Sequence, residues 1–228
     1  MGIQRGVLIS ILLGLSVAAC SPAATPDPAT GASEVAAAEP QEAGESPGVV
    51  GEAIFVLDPE LSEARFIIGE ILANQPNTVI GVNNQIQGGG VLNFAEPALS
   101  RLDEFLIDSS GFVTDSNMRN RAIGRFVLQS AQYPVISFQP TDIEGIPPEI
   151  VVGETVFFKI VGMLTIRDIT REVTFAGEAT LVAEDRVEGL ATATLVRSDF
   201  ELSIPSVPRV AGVDEEFMLE IEFVAVSG

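Results

Sequence analysis

The sequence contains no histidine and no tryptophan, one cysteine, one tyrosine and only 12 basic residues among 228. Each shortage closes a class of chemistry. Without histidine the commonest general base and the commonest transition-metal ligand are missing. The single Cys20 has no partner within the chain, so no intrachain disulfide forms and the folded part must stand on its core alone. Ser-His-Asp and Cys-His catalysis are excluded by inventory. Against the few cations stand 32 acidic residues, for a net charge of −20. Such a polyanion repels nucleic-acid phosphates and anionic lipid heads, and no nucleic-acid partner is expected. Gly88-Gly89-Gly90 lacks the Gly-Lys-Ser/Thr of a phosphate loop and reads as a flexible hairpin. Asp214-Glu215-Glu216 precedes the last strand and reads as a solvated turn. Calcium-loop spacing is absent. Paired carboxylates are the one acid–base option left. The chain is read as a non-enzyme with no cofactor and no metal.

What is present begins at the N-terminus. Arg5 precedes an apolar run from Val7 to Leu15, and small residues then lead through Ala18-Ala19 into Cys20. The run is too short for a membrane span of ~20 residues and ends in a processing site. It resembles a bacterial lipobox: residues 1–19 form the signal, and Cys20 carries the lipid. This implies an extracytoplasmic protein anchored to a bacterial membrane, in the periplasm or at the cell surface. The alternative is an ordinary secretory signal cut after Ala19, which leaves Cys20 as a free thiol. Residues 20–52 are rich in Ala, Pro, Glu and Gly and carry no aromatic side chain. They cannot bury enough apolar surface to offset ordering entropy and are expected to form a disordered acidic tether. A coil of this length spans ~30 Å on average and roughly 100 Å when pulled straight.

Residues 53–228 form one domain, and its dominant period is two. Phe217, Leu219, Ile221 and Phe223 alternate with Met218, Glu220 and Glu222. The same alternation puts Ala64, Phe66 and Ile68 on one face, Leu92 and Phe94 on another, and then Val156, Phe158 and Ile160. Val173 and Phe175 follow, and Val187–Val196 reads as a further strand. Short strands divided by Gly, Pro and Asn predict an all-β antiparallel sandwich or barrel. One insert is helical. Thr114-Asp115-Ser116 offers N-caps, Met118, Ala122 and Phe126 follow at spacing four, and Tyr133-Pro134 forces extended backbone afterwards.

Several stretches in order resemble the YceI-like family. They are Phe55-Val56-Leu57-Asp58-Pro59 with Ser62-Glu63-Ala64-Arg65-Phe66, the insert followed by Tyr133-Pro134-Val135-Ile136-Ser137-Phe138, Gly162 to Arg171, and Arg197-Ser198-Asp199-Phe200. The resemblance implies an eight-stranded antiparallel lipocalin-like barrel with a short helical insert. It further implies an apolar cavity that takes an isoprenoid or another long-chain amphiphile. Two departures stand out. Asp168 and Glu201 occupy positions where the family has Gly, and a left-handed turn accepts Asp better than Glu. The family's first-strand His is missing near Leu61.

Under this reading the cavity wall is drawn from Phe66, Ile68, Leu92, Phe94, Phe158 and Phe175. Phe217, Leu219 and Ile221 join them, with Phe126 and Phe138 near the insert. Thirteen Phe against one Tyr supply apolar bulk with few polar handles. Arg121 and Arg125 share a helix face at i, i+4 and are candidates for an anionic headgroup, while Arg119 points elsewhere. Arg167 and Arg197 are alternatives. The contrasting reading is a non-catalytic envelope stress or interaction protein whose Phe residues fill a dry core, with a homodimer through the barrel wall.

Overall fold

The computed structural model describes residues 51–228. The signal segment, Cys20 and all but the end of the tether lie outside the described residues. Twelve strands are formed where eight were expected: β1 (Glu52–Leu57), β2 (Glu63–Leu72), β3 (Gln75–Asn83), β4 (Ile86–Gln87), β5 (Gly89–Asn93), β6 (Arg101–Leu102), β7 (Phe105–Asp108), β8 (Val135–Glu144), β9 (Thr155–Ile166), β10 (Ile169–Ala183), β11 (Arg186–Val196) and β12 (Val210–Ser227). Glu52, placed last in the tether by composition, opens β1.

The excess in strand count comes from bends. β12 is bordered on one edge by β11 along its length, and on the other by β2 and then β1. β2 continues to β3 and β1 to β5, so β1 and β2 occupy one position and β3, β4 and β5 the next. β6 and β7 share the following position, paired to β5 and β4. β7 then pairs β8, and β8 through β11 return to β12. Every pairing is antiparallel, and the sheet curls until its edges meet, which leaves few free strand edges.

Asn83 supports the bend where β3 breaks into β4. Its amide donates to the Asp108 carbonyl at 2.7 Å, and its Oδ1 accepts from the Gln85 N–H at 2.8 Å. It is 1% exposed, so these bonds replace ladder bonds that the break removes. On the outer wall, Arg65 of β2 binds Glu63, Glu220 and Glu222, which raise its guanidinium further above its ordinary value and tie β2 to β12.

Local chemistry accounts for the turns. Ala73 and Asn74, both left-handed, close the two-residue turn between Leu72 and Gln75. In the Arg167-Asp168 turn the positive φ of 59° falls on Arg167 rather than on Asp168. Glu201 does adopt the left-handed conformation, at φ 52°, at the end of the 3₁₀ turn Arg197–Phe200. The glycine run is strand rather than loose hairpin: Gly89 begins β5, and a Cβ there would lie 2.3 Å from the Phe55 carbonyl oxygen, so only Gly lets β5 lie against β1. Asp214-Glu215-Glu216 is likewise no turn. It lies within β12, where pairing with β2 shifts between Val213 and Phe217, and Arg197 stabilises the irregularity by donating to the Asp214 carbonyl and to Glu215.

The insert is helical but shorter than its pattern. Ser116 accepts a hydrogen bond from the Arg119 N–H and caps α1 (Asn117–Ala122). From Ile123 to Val127 the backbone widens into a π-type turn, with the Leu128 N–H bonded to the Ile123 carbonyl. This buries Leu128 and leaves Phe126 outside the core.

Candidate ligand cavity

Inward alternation from the strands leaves the barrel interior unfilled. A cavity of about 970 Å³ runs from α1 and residues 204–210 at one end to β1, β5 and residues 146–150 at the other. β12 contributes to the wall from Val210 to Ala225, roughly 50 Å of strand at ~3.3 Å per residue.

Phe66 and Ile68 of β2 line the cavity, as do Phe217, Leu219 and Ile221 of β12. Phe138, Phe158 and Phe175 line it from β8, β9 and β10, and Leu92 from β5. The rings interlock: Phe138 meets Phe175 edge-on at 5.0 Å between centroids, and Phe66 meets Phe112 at 5.4 Å. Gly81 sits under the Phe66 ring, where a Cβ would overlap it at 2.0 Å. Phe126 lines the cavity from the insert while 51% exposed. Phe94 does not line the cavity. It follows the end of β5, where the alternation has run out, and packs against the cluster around Phe55 and Leu57.

Arg121 and Arg125 stand apart from Arg119, as the helical wheel has them, but the cavity does not take their face. Arg121 and Arg125 are exposed and absent from the wall, and Arg125 lies over the Phe126 ring at 5.2 Å. Arg119 is the arginine of α1 that reaches the cavity. It is held there by Asp115 and by Glu70, the latter at 2.9 Å. Glu70 is 6% exposed, and its Oε1 also accepts from the Asn77 amide at 2.8 Å. Periodicity carried the signal for it: Ala64, Phe66, Ile68 and Glu70 are successive inward positions of one strand. Arg197 also reaches the wall but is committed to the Leu202, Val213 and Asp214 carbonyls and to Glu215. Arg167 donates to the Val127 carbonyl at 3.3 Å and joins the β9–β10 turn to the insert.

One end of the cavity therefore has a hydrogen-bonding rim, formed by Glu70, Arg119, Asp115 and Ser116, with Ser206 and Arg209 from the facing segment. The rest is predominantly apolar. Among the described residues no group of three or more His, Cys, Asp or Glu could hold a metal ion.

The family model for the YceI-like domain matches residues 55–225. The chain belongs to the YceI-like family. Solved structures agree on the fold. A polyisoprenoid binding domain from Saccharophagus degradans, implicated in plant cell wall breakdown, is 13% identical with a TM-score of 0.60, covering 76% of this chain and 98% of its own. BcnA of Burkholderia cenocepacia is 18% identical with a TM-score of 0.58, covering 75% and 99%. The YceI protein of Campylobacter jejuni is 20% identical with a TM-score of 0.51, covering 65% and 84%. No curated protein matches the chain.

Proposed function

We propose that this protein binds a long-chain amphiphile, a polyisoprenoid or a comparable lipid, with the chain in the barrel cavity. We further propose that a lipid on Cys20 holds it at the extracytoplasmic side of a bacterial membrane. The observation that carries the binding reading is the cavity of about 970 Å³ walled by inward Phe, Leu and Ile. A hydrocarbon wall of this extent forfeits dispersion contacts unless an apolar ligand lies against it. Water gains little against an apolar wall, whereas each buried methylene stabilises by ~0.8 kcal/mol. The polyisoprenoid binding domain of S. degradans, similar in fold, supports this choice of ligand. The reading assigns the cavity no chemical step. The lipobox-like run ending at Cys20 supports the anchor.

Mass spectrometry of a solvent extract from the purified protein tests the binding reading. One lipid per chain, or saturable uptake of added polyprenol, is expected, and finding neither overturns it. Leu219→Asp puts a carboxylate in the wall and should abolish uptake. Cys20→Ser should release the protein from membranes yet leave uptake intact, and loss of uptake in that folded variant would show that anchor and cavity are not separable.

A further inference from the structure

Of the eleven basic residues among the described ones, seven form ion pairs within 4.0 Å. The four without one among the described residues are Arg121, Arg125, Arg171 and Arg209. Their placement is uneven. Arg121 and Arg125 stand on the insert, and Arg209 stands on the segment facing it across the cavity mouth. In a chain of net charge −20, three of these four cations stand at one opening, the fourth, Arg171, lying on β10.

Large apolar side chains are exposed at the same opening. Met118 is 68% exposed and Phe126 51%, yet both line the cavity. Val207, also exposed, faces them from the segment that carries Arg209. Apolar side chains flanked by unpaired arginines are the composition of an interfacial membrane contact. Of the acids around the mouth, Asp115 and Glu70 share Arg119, Asp168 pairs with Arg167 and Glu215 with Arg197. Asp199 and Glu201 on the neighbouring turn and Asp214 and Glu216 of β12 have no ion pair among the described residues, so contact runs through the insert and residues 204–209 rather than through that turn or the start of β12.

We propose that this mouth docks on an anionic lipid surface, with Met118, Phe126 and Val207 entering the interface and Arg121, Arg125 and Arg209 meeting lipid phosphates. If the lipid-binding reading above holds, the docked mouth is the portal through which the amphiphile passes between bilayer and cavity without crossing water. Docking itself does not depend on that reading.

The absence of Trp makes the test direct. In the full chain, Met118→Trp supplies a single indole at the mouth. Vesicles containing phosphatidylglycerol should shift its emission to the blue, and brominated lipid should quench it. Phosphatidylcholine vesicles should do much less. Phe157→Trp, at an equally exposed site on the outer wall away from the mouth, should respond to neither. Adding Arg121→Gln and Arg125→Gln should weaken the vesicle affinity read by Met118→Trp about thirtyfold, at ~1 kcal/mol per basic residue near an anionic surface. If Met118→Trp fails to fold, Val207→Trp carries the same readout. The proposal is overturned by an absent shift, by equal shifts at residues 118 and 157, or by a response indifferent to the arginines. A shift that grows with protein concentration alone would mark self-association, and one that needs an added acidic protein would mark a protein partner; both overturn it. Docking without polyprenol uptake would remove the portal role and leave the membrane contact.

Discussion

The two ends of the cavity are built from the same alternating strands and differ in almost everything else. At the far end Phe55, Leu57, Ala64, Ile86, Leu181 and Ala225 all line the cavity and are all buried. At the mouth the lining residues Met118 and Phe126 are largely exposed, and the polar groups are Glu70, Asp115 and Arg119. The difference lies in what completes each end. Around the far end the strands approach closely, as at Gly89 where β5 lies on β1, and the exposed Arg101 is the charged side chain that lines the cavity there. The mouth is lined by the insert, a short helix and a π-type turn in which no residue is fully buried. One end spends its apolar surface on stability and the other leaves it available for contact.

That contrast is most easily broken by truncation. Phe55→Ala should cost about 3–5 kcal/mol, since a buried ring leaves a void that the crowded β1–β5 contact cannot refill. Met118→Ala should fall within about 0.5 kcal/mol, because most of its side chain is already in water. Urea midpoints of the two variants compare them directly. Equal losses would mean that the mouth is as much core as the far end.

The strands carried most of this division in their period. The β2 pattern of Ala64, Phe66 and Ile68 and the β12 pattern of Phe217, Leu219 and Ile221 place their residues on the wall, and the family motifs fix the order. What stayed hidden depended on distant geometry. A helical wheel groups Arg121 with Arg125 but does not say which face meets the cavity, and the contact that marks Arg119 is with Glu70, 49 residues away in sequence. The bends that divide eight positions into twelve strands depend on side-chain bonds such as those of Asn83, which no periodicity encodes. Residues 204–210 contain two Pro and no alternation, so nothing marked them as the other lip of the mouth.

A smaller change sharpens the comparison from the mouth side. Glu201 holds a left-handed conformation on the turn that Arg197 secures, a geometry that disfavours any side chain by ~1–2 kcal/mol. Glu201→Gly relieves that strain and gives back ~0.5–1 kcal/mol as lost chain entropy in the unfolded state. A net gain of about 0.5–1 kcal/mol is expected in thermal unfolding, with polyprenol uptake unchanged. A loss of stability would mean that the Glu201 side chain makes a contact worth more than the strain.

The smallest expected effect is acid-sensitive. The Ser110 hydroxyl and N–H both donate to Asp108 Oδ1, at 2.6 Å and 2.7 Å, and hold the carboxyl below its ordinary pKa against a minor opposing effect of burial. A carboxylate with a lowered folded pKa adds stability above the ordinary carboxylate range and loses it as pH falls through the lowered value. Asp108→Asn keeps the shape and removes the charge. At neutral pH it should cost less than about 1 kcal/mol, because the site is open to solvent and screened. As pH falls the variant and the parent should converge, while the deficit from Phe55→Ala, with no proton involved, should persist to the lowest pH at which the fold survives. Thermal melts over a pH series separate the two. A constant gap for Asp108→Asn would mean that its carboxylate stabilises the turn by packing rather than by charge, and the stability difference between the cavity's two ends would then have no acid-sensitive part at this position.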